Sequence, residues 1–122
     1  MNTNFSRAHN IELTDSLRDY VHKKLQWVSD KFVDPSDESA HCDIELEKTT
    51  NHHRSGKIFR AEFNLHVAGK NIYADATAED LYAAIDEARD ELQRQLKSHR
   101  KKKETMLRKG GRKLKALLRG RA

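Results

Sequence analysis

The residues of this 122-residue chain best suited to chemistry are its basic side chains, whose usual partners are phosphates. Residues 1–96 contain 12 Lys/Arg and 18 Asp/Glu, whereas residues 97–122 contain 12 Lys/Arg and one acid, Glu104. A mildly acidic body therefore carries a strongly basic C-terminal segment. Single-sign runs of this kind usually serve as interaction arms, so the pattern predicts an RNA-binding tail. A solvated, disordered C-terminus is the alternative interpretation.

Two groups of basic residues are candidate phosphate contacts. In the second predicted helix, Arg94, Lys97 and Lys101 project away from the apolar side, and further cations lead into the tail. In the first predicted helix, lysines interleave with Tyr20 and Trp27. In such an arrangement the rings can stack on bases while the ammonium groups pair with phosphates. Alternatively, the two aromatics pack the seam between the helices, which we favour for the rings but not for the lysines. The candidate RNA-binding residues are Lys23, Lys24, Lys31, Arg94, Lys97, Arg100, Lys101, Lys102, Lys103, Arg108, Lys109, Arg112, Lys113 and Lys115.

Sequence patterns for catalysis or cofactor binding are few. The sequence has no Gly-rich phosphate loop, no paired-cysteine metal site and no Gly-x-Ser-x-Gly motif. The only metal-like groupings are His41-Cys42 and His52-His53, and strand alternation points Cys42 inward and His41 outward. We therefore expect no metal site, no cofactor and no small-molecule substrate. The sequence predicts a binding protein and not an enzyme.

The composition indicates a single domain in the cytoplasm. Only 36% of residues are hydrophobic, 35% are charged, and no apolar run approaches the ~18–20 residues that span a bilayer. The first residues lack the layout of a secretory signal, and the single cysteine, Cys42, cannot form an internal disulfide. We expect no membrane partner.

Apolar spacing predicts two amphipathic helices. The first begins after a Thr14 N-cap and ends before the turn cluster at 34–37. The second opens with a capping box at 77–80 and continues to about Lys103. Their apolar positions are Leu17, Val21, Leu25, Val28 and Phe32 in the first helix, and Leu81, Ala84, Ile85, Ala88, Leu92 and Leu96 in the second. After Gly110-Gly111 a short amphipathic helix could form, with an apolar face too small for strong membrane insertion.

Alternating apolar and polar residues predict the strands, with a loop at 49–56 and a hairpin turn at 68–71. The predicted strands are residues 3–9, 41–48, 58–67 and 72–76. The order β-α-β-β-β-α indicates an α+β two-layer sandwich, with an antiparallel meander covered on one face by both helices. We expect a domain at 1–98, similar in architecture to double-stranded RNA-binding domains. A basic extension at 99–122 would contain the end of the second helix and the RNA-binding tail.

The chain resembles the ribosome hibernation-promoting factor family, also called ribosome-associated inhibitor proteins, in two blocks. The first is Asn10-Ile11-Glu12-Leu13-Thr14, followed by Leu17, Tyr20-Val21 and Lys24-Leu25. The second is Glu79-Asp80-Leu81-Tyr82-Ala83-Ala84-Ile85-Asp86, then Asp90-Glu91-Leu92 and Arg94-Gln95-Leu96-Lys97, and is close to the signature of the family's second helix. With the element order, the resemblance covers residues 1 to about 103.

The resemblance implies a bacterial, non-enzymatic factor made when growth slows. Such factors occupy the small ribosomal subunit where transfer RNA and messenger RNA would otherwise sit, so they block translation and preserve idle ribosomes. The implied partners are the small ribosomal subunit, with its 16S rRNA and ribosomal proteins, and the free protein is expected to be a monomer. Family members grip ribosomal RNA through both helices, and the matching basic positions here are Lys24, Arg94, Lys97, Arg100 and Lys102.

The sequence departs from the family pattern at Asp90-Glu91, where relatives often place a lysine after the aspartate. Our hypothesis is that the basic tail compensates through ~6–10 phosphate contacts with a steep salt dependence. The chain also ends before the second, dimer-forming domain of long family members, which implies that it does not pair ribosomes through such a domain.

Two other functions fit the sequence. One is general binding to structured RNA. The other is modulation of stress responses or transcription by protein contact through the acidic strand face of Asp43, Glu45 and Glu47.

Overall fold

The computed structural model describes residues 1–49 and 58–119, with side chains described as far as residue 111. The elements are β1 (Asn2–His9), α1 (Asp15–Phe32), β2 (His41–Lys48), β3 (Phe59–Val67), β4 (Lys70–Ala78) and α2 (Leu81–Arg119). The predicted order and the α+β class are confirmed. The His52-His53 pair lies outside the described residues, as do the side chains of Arg112, Lys113 and Lys115.

The sheet is four-stranded, in the order β1-β2-β3-β4. The pairs β2–β3 and β3–β4 are antiparallel, but β1 runs parallel to β2, so the expectation of an antiparallel meander is wrong for the first strand. The reason is α1, which carries the chain back along the sheet before β2 begins, as a parallel connection requires. The register of β1 shifts between Phe5 and Arg7, where Ser6 Oγ donates to the carbonyl oxygen of Ile44 at 3.2 Å.

One hydrophobic core lies between the sheet and the two helices. The inward residues of β2, β3 and β4 alternate as predicted, and Phe63 is the largest fully buried side chain. Helix α1 buries Leu17, Val21, Leu25 and Val28, while α2 buries Ala84, Ile85, Ala88, Leu92 and Leu96. The other face of the sheet has no layer over it among the described residues, so its polar side chains are accessible.

The predicted N-cap of α1 is confirmed, whereas the capping box of α2 is not where the sequence placed it. Thr14 Oγ1 accepts from the backbone N–H of Leu17 at 3.1 Å. Thr77, however, lies within β4, which runs to Ala78. Asp80 caps α2 instead, since its Oδ1 accepts from the backbone N–H of Tyr82 at 3.2 Å.

The β3–β4 hairpin is tighter than predicted because only Ala68 and Gly69 form the turn. Both have positive φ angles, 50° and 74°, as a two-residue turn of type I′ requires. Lys70 therefore pairs directly with Val67, which makes β4 longer than the predicted 72–76.

Helix α2 continues to Arg119, so the predicted end near Lys103 is wrong, and the short helix expected after Gly110-Gly111 is part of α2. The segment between Lys103 and Gly110 consists mostly of Lys, Arg, Met, Leu and Glu, which favour helices. Each glycine costs about 1 kcal/mol relative to alanine, which weakens a helix without ending it. Leu96 is the last core residue, and residues 97–111 are exposed. No helix in the described part of the chain is long and apolar enough to cross a membrane.

Candidate nucleic-acid interface

Aromatic side chains fill the seam between α1 and α2. The Tyr20 and Tyr82 rings meet edge to face with their centroids 4.8 Å apart. The ring centroid of Trp27 lies 6.5 Å from that of Phe32. Tyr20 and Trp27 are half-buried against the core. Because four-residue spacing aligns side chains along α1, the lysines interleaved with these rings lie at the mouth of the same seam.

Asp86 of α2 joins two residues of α1. Its Oδ1 accepts from the hydroxyl of Tyr20 at 2.6 Å and lies 3.3 Å from Lys24 Nζ. The hydrogen bond to this carboxylate is the main reason that the pKa of Tyr20 rises from 10.0 to about 12. Lys24 also lies 5.2 Å from the centroid of the Tyr20 ring. The charge of this predicted RNA-binding lysine is thus partly balanced within the protein.

Trp27 lies between two cations. Lys31 Nζ is 4.3 Å from its ring centroid, and Arg89 Cζ is 5.3 Å from it. Arg89 Nη2 pairs with Asp90 Oδ1 at 3.0 Å, but its Nε is buried without a hydrogen-bond partner in the described residues. Sequence reasoning missed Arg89 because it stands alone among acidic residues. Only the packing of α2 against Trp27 shows its role.

These residues surround an open depression of about 270 Å³, which we call the seam cavity. Its lining consists of Tyr20, Lys23, Lys24, Trp27 and Arg89. Three cations and two aromatic rings at one concavity can bind a phosphate and stack a base beside it.

The predicted RNA-binding residue Arg100 is engaged within the protein. Its Nη2 donates to the carbonyl oxygen of Lys31 at 2.7 Å, and its guanidinium lies 4.5 Å from the centroid of the Phe32 ring. Carbonyls in the last turn of a helix lack partners inside that helix. Arg100 therefore caps the end of α1 and ties it to α2.

Arg94 is also paired. Its Nε donates to Glu91 Oε2 at 2.9 Å, and this pairing raises the pKa of Arg94 and lowers that of Glu91. Gln95 bonds both to Glu91 and to the carbonyl oxygen of Tyr73, at 3.2 and 2.8 Å. The acid that departs from the family pattern is thus used to neutralise its neighbouring arginine.

The remaining predicted cations project from residues 97–111 of α2, which we call the cationic extension. They are exposed, and within the described part of the chain none lies in ion-pair contact with a carboxylate. At 1.5 Å per residue the cationic extension is about 21 Å long. Its members are Lys97, Lys101, Lys102, Lys103, Arg108 and Lys109.

The open face of the sheet carries further acids beside the predicted acidic strand. Arg60 Nη2 pairs with Asp75 Oδ2 at 3.0 Å and donates to the Tyr73 hydroxyl at 2.7 Å, while its Nη1 lies 3.5 Å from Glu62 Oε2. Glu45 stands directly opposite Glu62, and a hydrogen bond between the two carboxyl groups raises the pKa of Glu45. Arg60 therefore balances acids of β3 and β4, whereas Glu45 on β2 faces another acid.

Comparison with known proteins places this arrangement in a family. A family model described as sigma 54 modulation protein / S30EA ribosomal protein matches residues 6–104. A ribosome hibernation promoting factor of Pseudomonas putida is 36% identical over 107 residues, which is 88% of this chain and 94% of that protein. A ribosome hibernation promoting factor of Klebsiella oxytoca is 37% identical over 95 residues, which is 78% of this chain and 90% of that protein.

Solved structures show the same fold. The N-terminal domain of Protein Y from Thermus thermophilus is similar with a TM-score of 0.61 at 33% identity, covering 81% of this chain and 99% of the other. A ribosomal subunit interface protein from Coxiella burnetii has a TM-score of 0.58 at 20% identity. The match covers 80% of this chain and 97% of the other. The second similarity concerns the fold alone.

Proposed function

Because the chain belongs to the sigma 54 modulation protein / S30EA ribosomal protein family, we propose that it binds the small ribosomal subunit in the channel for transfer RNA and messenger RNA and keeps idle ribosomes inactive. The membership confirms the family prediction made from residues 10–25 and 79–97. Two relatives at 36% and 37% identity are named ribosome hibernation promoting factors, which supports a ribosome-associated function.

The observation that carries the proposal is the cationic extension. Six exposed cations follow one helix beyond the core without a carboxylate in contact among the described residues. Each phosphate that they neutralise would release condensed counterions, which provides affinity at low salt and a steep loss of affinity as salt rises. The cationic extension therefore supplies the electrostatic attraction to RNA that the acidic body lacks.

The seam cavity supplies a second contact of a different kind. Tyr20 and Trp27 line the cavity, Lys23 is exposed beside them, and Lys24 and Arg89 flank the rings. A nucleotide that enters the cavity can place its phosphate on the lysines and its base against the exposed parts of the rings. Single-stranded and looped segments are common in folded ribosomal RNA and rare in a plain duplex, so this cavity favours the ribosome over free duplex RNA.

Co-sedimentation with purified bacterial small subunits tests the proposal. The full chain is expected to pellet at close to one copy per subunit, and excess transfer RNA should displace it. A variant with Lys97, Lys101, Lys102 and Lys103 changed to Gln should pellet much less. The control Lys48→Gln, whose lysine lies at the end of β2, should pellet like the unaltered chain.

The same experiment separates the alternatives. Binding to free duplex RNA as tight as to small subunits, with no displacement by transfer RNA, would favour a general RNA-binding protein. Failure to pellet at low salt would contradict the proposal outright.

A further inference from the structure

Two histidines and an aspartate meet on the open face of the sheet, away from the helices. His41 and Asp43 are two residues apart on β2 and therefore share a face. His66 on β3 is the cross-strand partner of His41. One potential ligand atom from each of the three side chains lies within 4.8 Å of the other two.

The side chains are held in an orientation that leaves metal-binding atoms available. His41 Nδ1 lies 2.9 Å from the carbonyl oxygen of Ser39. A carbonyl only accepts, so Nδ1 must carry the proton, and Nε2 of the neutral ring then carries the lone pair. Asp43 Oδ1 accepts from Asn4 Nδ2 at 3.4 Å, which leaves Oδ2 to face His66 Nε2 at 3.7 Å. Outer hydrogen bonds of this kind orient ligands in metal sites.

The two histidine rings lie against each other. The imidazoles of His41 and His66 stack with centroids 4.2 Å apart and an angle of 16° between planes. This contact brings the two rings together beside Asp43 on the same face of the sheet.

We propose that His41, Asp43 and His66 form a binding site for one divalent transition-metal cation of the zinc type. Two imidazole nitrogens and one carboxylate oxygen are a donor set that Zn²⁺ accepts, whereas Mg²⁺ and Ca²⁺ require oxygen ligands. Bonds of about 2.0–2.1 Å in a tetrahedron place ligand atoms about 3.3 Å apart, close to the spacing of His66 and Asp43. The three side chains are half-buried at the surface, and their ligand atoms, which lie within 4.8 Å of one another, draw closer together when the ion binds.

Three protein ligands leave one coordination position open, which water or a group from another molecule can fill. The site joins β2 to β3 and lies on the face opposite the seam cavity. The proposal therefore does not depend on the proposed function. The sequence did not predict the site, because His66 is distant from His41 in the chain and only the strand register brings them together.

The test is calorimetric titration of the full chain, stripped with a chelator, with zinc chloride. Binding of one Zn²⁺ per chain is expected, with no comparable heat from magnesium chloride. Changing an outer partner of a metal ligand typically costs 10–100-fold in affinity, so His66→Gln or Asp43→Asn should weaken binding at least about tenfold. The matched control is His99→Gln, an exposed histidine on α2 outside the cluster.

A second measurement reads the unaltered protein, so that it does not depend on the folding of a variant. Zinc should shift the imidazole resonances of His41 and His66 in NMR spectra and leave those of His9 and His99 in place. His52 and His53 are retained in every variant. If the double variant His41→Gln/His66→Gln bound Zn²⁺ as tightly as the unaltered chain, or if zinc left both resonances unchanged, the proposal would be overturned.

Discussion

The Nη2 atom of Arg100 donates to the carbonyl oxygen of Lys31 at 2.7 Å, which links the last turn of α1 to α2 beyond the final core residue, Leu96. The same guanidinium lies over the Phe32 ring. A residue that the sequence predicted to bind RNA thus has a structural role in this chain. This contact distinguishes Arg100 from the lysines beside it, and measurements of protein stability alone can test it.

We expect Arg100→Gln to lower the free energy of unfolding by roughly 1 kcal/mol, because it removes a charge-assisted hydrogen bond and a cation–π contact at an accessible site. Lys101→Gln, one residue later and fully exposed, should change stability by less than about 0.5 kcal/mol. Urea denaturation followed by circular dichroism measures both. Equal stability of the two variants would contradict the capping role.

Glu45 and Glu62 face each other across β2 and β3, and their like charges oppose folding at neutral pH. Since the pKa of Glu45 is raised in the folded state, its stabilising contribution is present below the unfolded value of 4.5 and lost as pH rises through the folded value. We therefore expect Glu45→Gln to stabilise the protein at pH 7 by about 0.2–1 kcal/mol, with the gain disappearing in acid.

The matched control is Glu47→Gln on the same strand face, because Glu47 stands opposite Arg60 instead of another acid. That change relieves no repulsion between facing carboxylates and should not stabilise the protein. Urea denaturation of both variants at pH 7 and pH 4 compares the stability of each with that of the unaltered chain. A gain from Glu47→Gln equal to that from Glu45→Gln would indicate a general charge effect.

Tyr20 provides a signal at alkaline pH. Its pKa is raised from 10.0 to about 12 by the hydrogen bond to Asp86, so the stability that it contributes is complete below pH 10 and declines as pH rises toward 12. We expect the unaltered chain to lose more stability over this range than Tyr20→Phe does. The pKa of Tyr73 is also raised, mainly by burial, so ultraviolet absorbance of tyrosinate should show one late-titrating group fewer in the variant and not a complete loss of late titration. Identical alkaline profiles would mean that the Tyr20–Asp86 bond is absent in solution.

Cys42 is fully buried in β2, and desolvation is the main reason that its pKa rises from 9.0 to about 12. The thiolate is the reactive form, so we expect no reaction with a thiol reagent at pH 8 in the folded protein. In urea the same thiol should react fully. Rapid labelling without denaturant would show that β2 opens far more readily than the core packing implies.

Much of the fold follows from local patterns, whereas the site depends on contacts across the sheet and between helices. The apolar stripes of both helices and the alternation in β2 and β3 are periodic, so the sequence was sufficient to predict them. The parallel pairing of β1, the contact of Arg89 with Trp27 and the meeting of His41 with His66 join residues far apart in the chain. No local pattern encodes them. Helix α2 ran past Gly110 because two glycines weaken a helix without abolishing it.

The salt dependence of ribosome binding should distinguish paired cations from unpaired ones. Each phosphate contact contributes about 0.7–0.9 to the slope of log affinity against log salt. Changing Lys97, Lys101, Lys102 and Lys103 to Gln should therefore flatten the slope by about 2.8–3.6 if all four contact phosphates. Arg94→Gln should change it much less, because Arg94 is already bound to Glu91. Co-sedimentation with small subunits at several salt concentrations measures both slopes. An equal effect of Arg94→Gln and any one of these lysines would show that ion pairing within the helix does not decide which cations reach RNA.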